Sequence, residues 1–572
     1  MRALTLIAAA IALGACSTAQ NPPAGQAKRS EPAAPVPAAE AKMERDAALV
    51  DRIAEVMPHK GRALSVAPAS AEHTAAHHPR AKMAAPAMVP PPPADRERYQ
   101  RLDENPVKLA ATDPVSTFSI DVDTGAWSNT RRFINEGRLP PADAVRVEEF
   151  INYFPYEYQA HQGSHPFSVG TELARAPWNE NNLLMRVAIK GQDIAKESLP
   201  PANLVFLVDV SGSMGSQDKL PLLKSSLKLL VRQMRAQDRI ALVTYAGQAG
   251  IVLPSTPGNE QGRIMAAIDN LASGGSTAGA SGIELAYRTA REGFIDHGIN
   301  RILLSTDGDF NVGVTSFDQL KQMVERERKS GVSLSTLGFG TGNYNEQLME
   351  QLADAGDGAY SYVDTLMEGH KVLVNEMTST LATIARDMKI QVEFNPAVIR
   401  EYRLIGYENR QLAREDFNND KVDAGEIGAG HTVTAIYELT PFEAPGLIEP
   451  LRYGSDPRPS GDKSNEMAHV RLRYKAPASD TSTLIERVVE RTSARSMAAT
   501  SDDFRFATAI AGFGQLLRGG KYTGQWQLSD ARTLAAGALG ADRFGYRGEA
   551  VRLIDLASAL APNRPEAQAR LE

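Results

Sequence analysis

Between Asn203 and Arg386, short apolar runs alternate with longer segments in which apolar residues recur every three or four positions. The first run, Leu204 to Val208, is uninterrupted, which is typical of a strand covered on both faces. The segment that follows carries leucines at three- and four-residue spacing, which places them on one helical face: Leu220, Leu223, Leu227 and Leu230. Strands that alternate with helices in this way predict an α/β domain with a doubly wound, mostly parallel sheet.

Strand-like segments also lie on both sides of this region. They are found at 118–123, 167–174 and 183–190 before it, and at 390–394, 432–439 and 468–474 after it. Each set is too small to form a stable sheet alone, so we expect the two sets to pair, with the α/β domain inserted in or flanked by one β-rich domain. A closing helix is expected from Met367 to Arg386, and a helical region from Thr481 onward.

The length of 572 residues is too great for one hydrophobic core and suggests about three or four folded units. Lys and Arg number 62 against 69 Asp and Glu, without a dense basic block, so nucleic acid is not an expected partner. The expected organisation is a signal segment at 1–15, a tether at 16–100, a flanking β-rich region at 110–200, the α/β domain at 203–386, a second β-rich region at 387–480 and a helical region at 481–572.

The first residues explain the single cysteine. An apolar run from Ala3 to Leu13 is too short to span a bilayer, and Cys16 follows two small residues. The string from Leu13 to Cys16 resembles a bacterial lipobox, which implies cleavage before Cys16 and attachment of lipid to it. Several acyl chains would hold the protein on a membrane of the cell envelope. Ser17 in place of Asp favours the outer membrane over the inner one, and the Ala- and Pro-rich segment that follows is typical of a flexible tether.

Three loops at predicted strand ends carry oxygen-bearing side chains. Asp209, Ser211 and Ser213 follow the first buried strand, Thr277 follows two glycines, and Asp307 ends the strand candidate at 301–305. In open α/β sheets, ligands collect outside the carboxyl ends of the strands, where the strand order reverses. The sequence therefore predicts a cation site made by these loops, although Asp, Ser and Gly also serve as turn and helix-cap residues.

The order of these residues resembles the metal-ion-dependent adhesion site of von Willebrand factor type A domains, which have a Rossmann-like sheet. The resemblance covers about 203–386 and implies that Ser211, Ser213 and Thr277 bind the metal directly, while Asp209 and Asp307 act directly or through water. A shell of oxygen ligands favours Mg2+, with Mn2+ and Ca2+ as alternatives. In the family a carboxylate of the partner protein fills the remaining metal position.

The flanks resemble those of a family of bacterial lipoproteins with a type A domain. The likeness covers 116–154, including the strings 131–133 and 148–155, and continues at 415–428. The expected function is that of a membrane-anchored envelope lipoprotein that binds partner proteins through its metal. The alternatives are a passive envelope component stabilised by metal and a hydrolytic enzyme. We expect no enzyme, because phosphate-loop, zinc-protease and serine-elbow motifs are missing and His297, the nearest downstream histidine, falls at a helix end.

Two further acidic patterns have competing interpretations. Asp121 and Asp123 share one strand face, where a metal site is a weaker hypothesis than an ordinary solvated face. Asp416 and Asp420 begin a string like a calcium loop, but Lys421 stands where such a loop needs glycine. A hydrated loop is the preferred interpretation there.

Overall fold

The computed structural model describes residues 97–120, 123–159, 163–275, 279–308, 317–422, 424–449, 465–477 and 479–561. The predicted signal segment, Cys16, most of the predicted tether and Thr277 lie outside these residues. Within the described ranges, no helix has both the length and the apolar character needed to cross a bilayer.

The strands of four or more residues are numbered in chain order. They are β1 (Val115–Ser119), β2 (Phe167–Ala176), β3 (Asn179–Gly191), β4 (Ala202–Asp209), β5 (Arg239–Tyr245), β6 (Ala249–Pro257), β7 (Ile299–Thr306), β8 (Ser333–Phe339), β9 (Tyr360–Val363), β10 (Thr383–Phe394), β11 (Ile399–Ile405), β12 (Thr432–Pro441), β13 (Glu466–Lys475) and β14 (Ser482–Glu490).

The α-helices are numbered in the same way. They are α1 (Gly125–Asn135), α2 (Val147–Asn152), α3 (Leu220–Val231), α4 (Gln261–Asp269), α5 (Gly279–Glu292), α6 (Phe317–Glu327), α7 (Glu346–Ala355), α8 (Leu366–His370), α9 (Met377–Leu381), α10 (Asp502–Leu517), α11 (Leu528–Ala536) and α12 (Tyr546–Leu560).

The α/β domain, from β4 to α9, contains a six-stranded sheet in the order β9-β8-β7-β4-β5-β6. All neighbouring pairs are parallel except the hairpin of β5 and β6. Successive residues of β4 enter two different cores, with Val205 and Leu207 on one face and Phe206 and Val208 on the other. The predicted α/β fold is therefore confirmed, and the strand order reverses between β4 and β7.

Two mostly antiparallel sheets form a β-sandwich from strands on both sides of the α/β domain. One sheet contains β11, β12, β3 and β2 in that order, and the other contains β1, β10, β13 and β14. β3 pairs with β12 and β1 pairs with β10, so chain segments before and after the insertion share sheets and one hydrophobic core. The hypothesis of an inserted α/β domain is confirmed by this pairing.

Another hydrophobic core, separate from the two of the α/β domain and the one of the β-sandwich, joins the two ends of the described chain. Trp127 of α1 and Phe150 of α2 pack edge to face, and both rings contact Phe513 of α10. α11 and α12 add Ala535 and Ile554 to the same cluster. The C-terminal helices therefore cover the helices of the N-terminal flank.

Two sequence expectations were wrong. The predicted closing helix from Met367 to Arg386 is broken by a π-helical turn at Lys371–Asn375, and the chain enters β10 at Thr383. The predicted helical region from Thr481 begins instead with β14, which pairs with β13. In both cases strand pairing outweighs the local preference for helix. β10 hydrogen-bonds to strands on both of its edges, and β14 hydrogen-bonds to β13.

Candidate metal centre

The loop after β4 is held by the carboxylate of Asp209, which is fully buried. Its Oδ1 accepts a hydrogen bond from the Ser211 N–H at 2.8 Å, and its Oδ2 accepts one from the Thr306 hydroxyl at 2.9 Å. The hydroxyl oxygens of Ser211 and Ser213 lie 3.1 Å apart. Two hydroxyls and a carboxylate thus meet at the carboxyl end of the central strand.

Asp307 follows β7, the strand next to β4, and its side chain is also fully buried. Its Oδ2 accepts hydrogen bonds from the Lys219 ammonium at 2.9 Å and from the Asn343 amide at 3.3 Å. Lys219 also donates to Asn343 Oδ1 at 3.0 Å. The backbone turns away at Gly308, where φ is 79° and a Cβ would lie 2.7 Å from the Asn345 nitrogen.

The third predicted loop reaches the first one through its backbone. The Gly274 N–H donates to the Val210 carbonyl at 2.7 Å, and the Gly212 N–H donates to the Gly275 carbonyl at 3.1 Å. Gly275 has a φ of 88°, a conformation that favours glycine. Thr277 itself lies outside the described residues, two positions beyond this contact.

The electrostatics of the site are set by burial and by Lys219. Burial raises the pKa of Asp209, hydrogen bonds from Ser211 and Thr306 oppose this, and the nearby charge of Asp307 adds to it. Among the described residues, no group of three or more His, Cys, Asp or Glu side chains is arranged to hold a metal. A cation here would therefore depend on hydroxyl oxygens as well as on two carboxylates, a donor set that suits a hard divalent cation.

Sequence reasoning missed three residues that shape the site: Lys219, Thr306 and Asn343. Thr306 is next to Asp307 and could have been found from its position at the strand end, directly beside Asp209 in a parallel pair. Lys219 directly precedes α3, and its position in the sequence does not indicate a contact with Asp307. Nothing in the local sequence indicates that Asn343, in the loop after β8, would reach Asp307.

The two acidic patterns for which the sequence left a metal site and an ordinary structural role open, at Asp123 and at Asp420, are engaged in contacts within the protein. Asp123 is buried, accepting a hydrogen bond from the Tyr360 N–H at 2.7 Å and pairing with Arg410 at 3.0 Å, so its predicted solvated face was wrong. Asp121 lies outside the described residues. Asp420 accepts a hydrogen bond from the Ser482 hydroxyl at 2.7 Å and lies 3.6 Å from Arg473.

The fold and the residues at the sheet edge define the class of a protein with a von Willebrand factor type A domain. The profile of that domain matches residues 203–376, a profile described as von Willebrand factor matches 93–186, and one described as the C-terminal region of uncharacterized protein YfbK matches 379–560. The chain is 50% identical over 471 residues to the uncharacterized protein YfbK of Escherichia coli strain K12, with 81% of each chain covered. It belongs to the YfbK family of type A domain proteins.

More distant similarities are confined to part of the chain. Human inter-alpha-trypsin inhibitor heavy chain H3 is 24% identical over 286 residues, which span 45% of this chain and 31% of that protein. A solved von Willebrand factor type A protein from Catenulispora acidiphila is 15% identical, with a TM-score of 0.39, over 67% of this chain and 89% of that one.

Proposed function

We propose that this chain binds a divalent cation, Mg2+ in the first place, and uses it to hold a carboxylate of a partner protein. The ligands would come from three loops: Asp209, Ser211, Ser213, Thr277 and Asp307. The observation that supports this most is the buried pair of carboxylates at the ends of β4 and β7, the two strands between which the sheet order reverses.

The charges of the site favour an anionic partner once the metal is bound. The carboxylates of Asp209 and Asp307 and the ammonium of Lys219 together carry one net negative charge, since two negative charges are set against one positive. A divalent cation converts this to one net positive charge. A carboxylate from outside would neutralise it and complete the oxygen shell.

Metal titration of the wild type and Asp209→Ala tests the proposal. Isothermal titration calorimetry with Mg2+, Mn2+ and Ca2+ should show binding to the wild type and none to the variant, while circular dichroism shows that both are folded. Asp296→Ala, at an exposed acidic residue after α5, is the matched control and should bind metal like the wild type. A wild type that binds none of the three cations contradicts the proposal.

The role of the metal is tested by partner capture from envelope extracts with and without EDTA. Capture that needs both metal and Asp209 supports binding through the metal. Global unfolding on metal removal would favour the passive, metal-stabilised component. Turnover of an ester or peptide substrate that is lost in Asp209→Ala would favour a hydrolytic enzyme.

The proposed location is the cell envelope, through lipid attached at Cys16. Metabolic labelling with a fatty acid should mark the wild type but leave Cys16→Ala unlabelled. The variant should also move from the membrane fraction to the soluble fraction. An unlabelled wild type would contradict the anchor without affecting the metal proposal.

A further inference from the structure

Arg301 is a buried arginine near the start of β7, the strand whose far end leads to Asp307. An extended strand rises about 3.3 Å per residue, so roughly 20 Å separate Arg301 from the proposed metal centre. The side chain lies at the amino end of β7 and faces the β-sandwich, since it lines a cleft together with residues of β10 and β13. This is a different part of the molecule from the metal loops.

The Arg301 guanidinium has few partners for a buried charge. The residue is 5% exposed, its Nη1 donates to the Ser335 hydroxyl at 2.7 Å, and its Nε has no hydrogen-bond partner in the part of the chain that the structure describes. Within the described ranges no carboxylate forms an ion pair with it; Glu426 and Asp357 act on it only over a longer distance. Burial lowers the pKa of Arg301, and those two acids offset this only in part. A buried cation without a counterion is unfavourable, which points to an anion that belongs in the cleft.

The cleft has a volume of about 490 Å3, within the range of small-molecule sites. Its walls carry six Lys or Arg and four Asp or Glu side chains. Three of the acids are already paired: Asp357 with Arg328, Asp387 with Lys475 and Asp420 with Arg473. Positive charge therefore exceeds negative charge in a cleft between the α/β domain and the β-sandwich.

A second arginine lines the cleft from the other domain. Toward the described residues, Arg386 of β10 donates one long hydrogen bond of 3.4 Å, to the Ser479 carbonyl, and its Nε has no partner among them. Guanidinium groups present two parallel N–H donors that match the oxygens of carboxylate and phosphate. Arg301 and Arg386 thus offer such donors from both walls of one cleft.

We propose that this cleft binds a small oxyanion, phosphate or a carboxylate-bearing molecule, between Arg301 of the α/β domain and Arg386 of the β-sandwich. The bound anion supplies the counterion that Arg301 lacks. It also links the two domains, because each contributes one of the arginines. The site is independent of the proposed metal centre.

Calorimetric titration with inorganic phosphate, in EDTA and with chloride at matched ionic strength, tests the proposal. The wild type should bind phosphate, and its thermal unfolding should shift upward relative to chloride alone. Arg301→Met should abolish both effects, and Arg301→Lys, which keeps the charge but not the forked donors, should weaken binding by about tenfold or more. Asp209→Ala should bind phosphate like the wild type.

Two further variants keep the test decisive. Arg386→Met, at a partly exposed position, should also lose phosphate binding, and it replaces Arg301→Met if that variant does not fold. Arg263→Met, at an exposed arginine on α4, is the matched control and should retain binding. A parallel titration with citrate distinguishes a carboxylate from a phosphate ligand. The proposal would be overturned if the wild type bound neither phosphate nor citrate. It would also be overturned if Arg301→Met or Arg386→Met bound phosphate as tightly as the wild type.

Discussion

A buried glutamate at the interface between the α/β domain and the N-terminal flank should make stability depend on pH. Glu346 is the first residue of α7 and is 1% exposed, and neither of its carboxylate oxygens has a hydrogen-bond partner among the described residues. The nearest cation is Arg146, with 3.8 Å between Nη2 and Oε2. Burial raises the pKa of Glu346 to about 8; Arg146 opposes the shift, and the charge of Glu350 adds to it.

The direction of the change in stability with pH follows from the proton affinity of Glu346 in the folded and in the unfolded chain. The unfolded chain releases this proton near the ordinary pKa of 4.5, whereas the folded protein retains it up to about 8. The folded state therefore binds more protons across this window, and the free energy of unfolding falls as pH rises from 4.5 to about 8. At about 1.4 kcal/mol per tenfold change in proton affinity, the loss is at most about 5 kcal/mol. The helix N-terminus, which favours the charged form, reduces it by up to about 1 kcal/mol.

Glu346→Gln should remove this dependence, because the amide resembles the protonated acid in size and charge. Below pH 4.5 the variant should match the wild type, and above pH 8 it should be the more stable protein by about 3–4 kcal/mol at most. Differential scanning calorimetry across this pH range measures the difference. Glu284→Gln, on the exposed face of α5, is the control and should follow the wild type at every pH. A stability difference between Glu346→Gln and the wild type that does not change with pH would refute the reasoning.

Three other predictions concern the metal loops and the core. Lys219→Met should raise the affinity for Mg2+ about tenfold or more in calorimetry, because a unit charge near the site is worth roughly 1–4 kcal/mol at an effective dielectric constant near 20. Lys228→Met, on the exposed side of α3, should leave the affinity unchanged. Gly308→Ala should lower the free energy of unfolding by about 1–3 kcal/mol, measured by thermal denaturation, since an L-residue is strained there and its Cβ would meet the next loop. Leu227→Ala, at a fully buried position of α3, should cost about 2–5 kcal/mol in the same assay, and a loss below 1 kcal/mol would contradict the assigned core.

Much of the α/β domain could be predicted because its signals are local. Four of the six leucines of α3 recur at helical spacing, and these four, Leu220, Leu223, Leu227 and Leu230, are buried in one core. β4 is apolar from Leu204 to Val208 because both faces of the strand are covered there, and this is visible as five consecutive apolar residues. The site could be predicted for a similar reason: Asp209 and Asp307 stand at the ends of recognisable strands, and parallel strands end at the same edge.

The errors and omissions have a common origin in long-range pairing. The helical pattern before Arg386 carries no sign that β10 lies between β1 and β13. Phe118 pairs with Ile390 although the whole inserted domain separates them in the sequence. The periodicity of neither segment specifies its partner strand.

The sequence by itself determined the periods of the helices and strands and the chemistry of the loops at strand ends, because both depend on neighbouring residues. Only the tertiary structure decided that Lys219 would donate to Asp307 and that Arg301 would be buried with none of the described carboxylates paired to it. Those features depend on side chains from distant segments meeting in space. Their free energy is set by burial and by the charges nearby, and the linear order of residues does not encode either one locally.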